Sequence, residues 1–355
     1  MKFKNIFITG GAGFVGSNLA IKLKSDYPQV NITCLDNLKR RGSELTLPRL
    51  REAGVNFIHG DIRNKEDLQA ESVDLLLECS AEPSVMAGIS SAPDYLINTN
   101  LLGTINCLEF ARQCQASLVF LSTSRVYPIE YINSLNFEEQ ETRFALSDEQ
   151  SVPGVSSKGI AETFPLDKAR SLYGATKLAS ELLIHEYADT YKMPAIIDRF
   201  GVITGPWQMG KVDQGVFVLW VAKHYFKQPL SYIGYGGTGK QVRDFIHIDD
   251  VYQSIRCQLE DFDAYKSEVW NVGGGLGNSV SLQELTKLCQ EVTGNTVEIA
   301  QIKEDRPADV RLYITDSAKF LNKSGLKWQK DAKATVKDIY EWIQANEQGL
   351  KPILS

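Results

Sequence analysis

Asn5-Ile6-Phe7-Ile8-Thr9-Gly10-Gly11-Ala12-Gly13-Phe14-Val15-Gly16 starts as an apolar, β-branched run and ends in spaced glycines at the mouth of an amphipathic stretch. Glycines let a chain turn sharply and let its backbone approach a ligand closely. A helix N-terminus behind them offers free amide donors and a favourable dipole. Such a turn suits a pyrophosphate, which makes Gly10, Gly13, Phe14, Val15 and Gly16 candidate dinucleotide ligands. Asp36 ends the next strand pattern about 20 residues on, the place of the acid that accepts hydrogen bonds from the adenosine ribose. It would repel a 2′-phosphate, so NAD is favoured over NADP, with Lys39, Arg40 and Arg41 close enough to soften that choice. The plain alternative is a tight turn with no ligand.

On either side of this turn, short apolar runs alternate with longer amphipathic ones through the first half. The pattern predicts strands over Asn5–Thr9, Asn31–Asp36, Val55–His59, Leu75–Ser80, Leu118–Ser122 and Ala195–Phe200. It predicts helices over Gly13–Ser25, Lys65–Ala70, Tyr95–Gln113 and Leu172–Tyr191. That alternation means an α/β fold, a Rossmann-type doubly wound parallel sheet covered on both faces. Beyond residue 200 glycine clusters (234–239 and 273–277) and irregular strands take over. Helical patterns recur there at Val216–Phe226, Asp249–Glu260, Ser281–Thr293 and Ala334–Asn346. We expect a dinucleotide domain over 1–200 and a smaller α+β lobe over 201–355, some segments of which return to the first domain. The polar, weakly periodic stretch 128–170 is either a lid or a surface insertion.

The net charge of -6 argues against nucleic acid as a partner, since its binders carry a basic face. No apolar run approaches the roughly 18 residues needed to span a membrane, and no signal peptide is visible. The six cysteines are scattered without a Cys-x-x-Cys pair, so neither a disulfide framework nor a metal site is expected, and the cytoplasm is the expected compartment.

Tyr173 and Lys177 lie four apart at the start of the Leu172–Tyr191 helix pattern, on one face. A cation beside a phenol favours the phenolate and makes it a general base for a hydroxyl proton. The fifth strand ends in Leu121-Ser122-Thr123-Ser124, where Thr123 is placed to orient substrate and phenol; a mere cluster of strand-end caps is the alternative. Asp61 and Ile62 end the third strand, suited to an adenine edge, or Asp61 simply caps the helical segment after it. Ala81, in Cys79-Ser80-Ala81-Glu82, lets a cofactor pass over the sheet edge.

These motifs, in this order, resemble the extended short-chain dehydrogenase/reductases over almost the whole chain. The likeness extends to Asn100-x-x-Gly103-Thr104, to Val126-Tyr127 after the strand-end threonine, and to Arg243-Asp244-Phe245-Ile246-His247-Ile248-Asp249-Asp250-Val251. It implies an NAD enzyme acting on a nucleotide-linked sugar, with Thr123, Tyr173 and Lys177 catalytic and Asn37, Asn100, Ser122 and Phe200 added to the cofactor site. Arg243 and Arg306 (in Arg306-Pro307-Ala308-Asp309) are implied to hold the substrate diphosphate; ordinary surface ion pairs are the alternative. Relatives of this kind commonly form homodimers or higher homo-oligomers through two long helices per subunit.

Within the family, Ser124 and Arg125 replace the acidic pair that dehydratases carry. Asp36–Gly42, Gly60–Asn64, Glu141-Thr142-Arg143, Asp213-Gln214-Gly215 and Gly239–Asp244 look like segments of the CDP-tyvelose (CDP-paratose) 2-epimerases. That likeness adds Gln214 to the sugar site, and Glu82, an unusual residue there, is expected beside its nicotinamide end. Val202 stands where many members have a diphosphate-binding asparagine, and Glu82 alters the pocket. The expectation is transient oxidation of a CDP-sugar at C2 and hydride return to the other face. A UDP-hexose 4-epimerase, or a net reductase or dehydrogenase, shares the same residues; a non-catalytic NAD sensor would usually have lost Tyr173 or Lys177.

Overall fold

The computed structural model describes residues 1–89, 92–211 and 214–355. Asp213, part of the Asp-Gln-Gly motif, lies outside the described residues. Two compact units emerge: residues 1–126, 172–199 and 252–270 form the first, and residues 127–171, 200–251 and 271–355 the second.

The first unit is built on β1 (Asn5–Thr9), β2 (Asn31–Asp36), β3 (Asn56–His59), β4 (Leu75–Glu78), β5 (Ser117–Thr123) and β6 (Ala195–Phe200). With β7 (Val269–Val272) they make a seven-stranded parallel sheet of order β7-β6-β5-β4-β1-β2-β3. The order reverses beside β1, the switch point where such sheets bind ligands. In register, Thr9 stands beside Leu35 on β2 and Glu78 on β4, and Glu78 beside Phe120 on β5. Phe7, Leu76, Phe120 and Ile197 project from the sheet into one cluster with Leu108, Phe110, Ala111 and Ile184 from the covering helices. Burying each large apolar side chain contributes roughly 1.5–3 kcal/mol.

Three helices matter for the site. α1 is Phe14–Asp26. α2 runs as an α-helical turn Asp94–Ile97, a π-helical turn Asn98–Leu102 and an α-helix Gly103–Cys114. α3 is Leu172–Thr190. The helix expected over Lys65–Ala70 is only a 3₁₀ turn, Lys65–Asp67. Asp67 turns its carboxylate back to accept the Asp61 N–H at 2.8 Å, and the chain leaves the helix at Leu68.

The second unit is not the smaller one, because the 128–170 insertion groups with it. Its central strand Val242–His247 pairs in parallel with Val202–Thr204 and Leu312–Tyr313 and antiparallel with Ser279–Ser281. The insertion is fastened to it. Ile160 exchanges backbone hydrogen bonds with Ile314 and Asp316 (2.8 and 2.9 Å), and its carbonyl also accepts from Asn271 Nδ2. Arg143 grips Glu284 at 2.5 Å, and Thr142 donates to the same carboxylate at 2.8 Å. Glu284 also closes a capping box with Ser281 at the head of helix Leu282–Thr293. The insertion is therefore a bolted part of its unit. Among the described residues no helix is long and apolar enough to cross a membrane.

One buried acid lets the fold be probed by pH. Asp198 on β6 lies wholly inside the first unit, its Oδ1 accepting from Gln258 at 2.7 Å. Burial pushes its carboxyl up from 3.8 to about 7, and the Gln258 hydrogen bond only partly offsets this. A carboxyl raised in the folded state lends stability at low pH that is lost as pH rises through the folded value. Asp198→Asn should flatten that loss. Its melting temperature, followed by calorimetry, should change less than wild type between about pH 5 and about pH 8 and exceed it by several degrees at the upper end.

Candidate active site

The glycine turn has the shape its sequence implies. Gly10 adopts φ +64°, and a Cβ there would lie 2.8 Å from the Cys79 carbonyl oxygen. At Gly16 a Cβ would come within 2.3 Å of the Gly10 oxygen, and at Gly11 within 2.3 Å of the Cys34 Cβ. Only glycine lets the loop fold this tightly over β2 and β4. Gly13 caps α1 without any side-chain hydrogen bond, leaving the first amides of the helix to a ligand. Phe14 and Val15 are half-buried in that first turn. Asp36 closes the loop, accepting from Ala12 N at 3.2 Å and Leu38 N at 2.8 Å, with lone pairs left for a ribose. This open, anion-seeking cradle with an acid beside it fits NAD.

Next to it, Asn37 Nδ2 donates to Asp61 at 2.8 Å and Arg63 pairs with the same carboxylate at 2.6 Å. Burial would raise the Asp61 carboxyl, but the Arg63 and Asn37 hydrogen bonds outweigh it and hold it at about 2. Ile62 is buried under Gly103, where a Cβ would lie 2.6 Å from its Cδ1. Tyr95 is flanked by Lys39, whose Nζ lies 3.1 Å from the ring centre, and by Arg63 at 4.9 Å.

Asn100, expected at the cofactor, is hydrogen-bonded to neighbouring protein groups. Its Oδ1 accepts the Glu82 N–H at 2.7 Å, and its Nδ2 donates to the Glu82 carbonyl at 3.0 Å and to Thr176 at 3.4 Å. The π-helical turn frees its own carbonyl to accept from Thr104 at 2.8 Å and from Ser180 at 3.1 Å. Asn100 thus ties the Ala81–Glu82 segment and α3 together. Ala81 and Glu82 are both half-buried there, and Glu82 Oε1 accepts the Ser84 N–H at 3.3 Å. Ser122 also departs from expectation, donating to Glu181, which in turn holds Arg199 at 2.6 Å in a buried ion pair.

Thr123, Tyr173 and Lys177 come together in the first unit, all buried. The Thr123 hydroxyl accepts the Arg125 N–H at 3.2 Å and donates its own proton to the Tyr173 phenol oxygen. The groups that act most on the Tyr173 phenol do not include Lys177. Burial pushes the Tyr173 phenol up; the Thr123 hydrogen bond and the Arg125 cation pull it down without cancelling that, and Glu78 and Glu82 push it further up. The Lys177 ammonium is engaged instead by Glu78, 3.7 Å away. Glu78, Glu181 and Arg199 carry no role in the sequence reading. Charges inside the apolar runs Leu75–Glu78 and Ala195–Phe200 were the available signal, since a buried charge requires a partner.

In the second unit Arg243 pairs with Asp309 at 2.8 Å and donates to the Val242 and Val310 carbonyls. The two arginine motifs are thereby joined, with Ala308 held at φ +59°, a conformation glycine takes more readily. Arg306 accepts the Asp309 N–H on its carbonyl. Gln214 bridges Lys211 through two backbone hydrogen bonds (2.7 and 3.0 Å), and Phe200, the last residue of β6, is buried. His247, Asp249 and Asp338 lie close together, but the two carboxylates approach opposite ring nitrogens and the Lys330 ammonium sits on Asp338 at 2.6 Å. A lysine ammonium therefore already stands beside this group.

Comparison with known proteins places the site in context. Residues 6–273 match the model of the NAD dependent epimerase/dehydratase family. The chain is 29% identical over 354 residues to a CDP-paratose 2-epimerase of Salmonella typhi, covering 96% of this chain and 99% of that one. Its fold is similar to a UDP-glucose 4-epimerase from Thermotoga maritima crystallised with UDP-glucose (TM-score 0.77, 24% identity, 97% and 99% covered). It is equally similar to a UDP-glucuronic acid 4-epimerase from Bacillus cereus in complex with UDP-glucuronic acid and NAD (TM-score 0.78, 22% identity, 96% and 99% covered).

The cradle makes a direct prediction. Gly16→Ala drives a methyl against the backbone of Gly10 and Gly11, which should cost roughly 1–3 kcal/mol of stability. The variant should also lose the NAD that copurifies with the wild type, read by absorbance and cycling assay of the denatured protein.

Proposed function

Because the chain belongs to the NAD dependent epimerase/dehydratase family, we propose that it epimerises a nucleotide-linked sugar, a CDP-sugar at C2, by transient oxidation to a ketone. When bound, NAD supplies a two-electron acceptor that takes up one hydride and returns it. Gly10, Gly13 and Gly16 would hold its pyrophosphate and Asp36 its ribose.

The residues of the chain manage the proton. Thr123 donates to the phenol oxygen of Tyr173 and so favours its anion. The Tyr173 phenolate accepts the hydroxyl proton of the sugar as its carbon is oxidised, and gives it back when the ketone is reduced on the opposite face. Burial of Thr123, Tyr173 and Lys177 keeps bulk water from the ketone. Arg243 and Arg306 would serve the substrate diphosphate, which a planar guanidinium can contact in pairs. Gln214 and Glu82 would line the sugar.

The observation that carries epimerisation over dehydration is Arg125. Dehydratases of this family use an acidic pair at Ser124 and Arg125; here a cation near Tyr173 helps form the phenolate, and no acid stands there to remove water. The CDP-sugar choice is supported by the Salmonella typhi relative. A UDP-hexose 4-epimerase is the second reading, supported by a putative UDP-glucose 4-epimerase of Methanocaldococcus jannaschii, 26% identical over 348 residues.

We propose that the chain assembles as a homodimer or a higher homo-oligomer. α2 and α3 leave Leu102 (48%) and Leu182 (61%) exposed, an apolar pair that a second copy would cover. The six cysteines are all free thiols, which fits the reducing cytoplasm.

Two experiments test this reading. Proton NMR of the purified protein with separate CDP-, UDP-, dTDP- and GDP-sugars, no cofactor added, should show one sugar converted to its epimer. Tyr173→Phe should slow that conversion roughly 10²–10⁴-fold. Turnover only with added NAD or NADH would instead mean a net redox enzyme. For the assembly, Leu182→Glu should halve the mass measured by light scattering; an unchanged mass would remove this face from the interface.

A further inference from the structure

Thr9 on β1, Glu78 on β4 and Phe120 on β5 stand side by side at one level of the sheet. Lys177 reaches into this row, its Nζ 3.7 Å from Glu78 Oε2 and 3.7 Å from the centre of the Phe120 ring. Lys177 is 2% exposed and Glu78 0%. A separation of 3.7 Å makes an ion pair but not a hydrogen bond. The Ser80 N–H also favours the Glu78 carboxylate, although among the described residues no hydrogen bond of ordinary geometry reaches either oxygen. A carboxylate so placed is costly, and an apolar residue would fill the strand at less cost. Its value must lie in what it does to the lysine.

Burial drives the Lys177 ammonium towards the neutral amine and the Glu78 carboxylate towards the neutral acid, and each is the foremost group opposing that in the other. Among the other groups facing the pair, Glu181 also favours the ammonium, after Glu78. Glu181, one turn further along α3, is already matched by Arg199 and Ser122. Burial pushes the Cys79 and Cys107 thiols well up, which leaves them uncharged, and pushes the Tyr173 phenol up. The Phe120 ring face attracts the cation without charge of its own.

We propose that Glu78 is a positioning residue for the site, the buried counter-ion that keeps Lys177 an ammonium and sets the depth at which it stands. A neutral amine in that place would bring no positive charge to the site and would have one hydrogen-bond donor fewer than the ammonium. The proposal takes from the functional reading only that Lys177 serves the site as a cation, and its test uses no turnover.

Protein labelled with ¹³C at lysine Cε reports each amine directly, and the Lys177 signal is assigned by its loss in Lys177→Met. In the wild type it should keep the shift of an ammonium across neutral pH, as it should in Glu78→Asp, which retains the charge. In Glu78→Gln its titration midpoint should fall by about one pH unit or more. A neutral Lys177 in the wild type, or an unmoved midpoint in Glu78→Gln, would overturn the proposal. A stability cycle tests it independently, even if Glu78→Gln proves hard to label. Lys177→Met leaves the Glu78 carboxylate uncompensated, so its melting temperature should fall at neutral pH and recover on acidification as Glu78 takes a proton. The double variant with Glu78→Gln should lose that pH dependence. Identical pH profiles for the single and double variants would show that the two charges are not coupled.

Discussion

The site depends on where α3 is anchored to the sheet, and one buried ion pair sets that. Arg199 reaches from β6 to Glu181 on α3, and Ser122 on β5 donates to the same carboxylate. Removing one partner of such a pair typically costs about 3–5 kcal/mol, because the other charge is left stranded. Glu181 lies one helical turn beyond Lys177 and two beyond Tyr173, on the same face. The pair therefore fixes the phase of the helix as well as its distance, and Tyr173 arrives at Thr123 as a consequence. Asn100 holds the same helix on the adjacent face through Thr176 and Ser180.

The parts legible in the sequence were those governed by local rules. β1, β2 and β6 follow from apolar runs bounded by turn residues, and the Gly10–Gly16 loop from the steric need for glycine. Tyr173 and Lys177 follow from helical spacing alone. What escaped depends on contacts distant in the chain. β7 closes the sheet edge only after the long excursion through the second unit, and nothing in Val269-Trp270-Asn271-Val272 advertises that neighbour. The Lys65–Ala70 pattern has helical spacing, yet the Asp67 side chain prefers the Asp61 amide. The insertion has no strong periodicity because its anchors are single residues, Arg143 and Ile160, meeting partners far along the sequence.

The most instructive mismatch lies in the protonation of the site. A Tyr-x-x-x-Lys spacing says that the two side chains share a face, and they do. It does not say which charge the lysine answers to, and here that is the carboxylate beneath it rather than the phenol beside it. Several side chains are likewise committed elsewhere: Asn100 to the Glu82 backbone, Ser122 to Glu181, Arg243 to Asp309. A motif identifies residues that gather at a site. Their division between holding the scaffold and meeting a ligand is decided by neighbours that no motif contains.

The grip of Arg143 on Glu284 has a consequence for how such a chain can change. Glu284 is half of the capping box that starts its helix, so the same carboxylate begins that helix and latches the insertion. Trimming the 128–170 segment would leave a capping acid without its counter-charge, and moving the segment into a relative lacking an acid at that point would leave the arginine with nothing to close on. The insertion and its receptor form a heritable unit, and exchange between relatives succeeds only when both halves travel together.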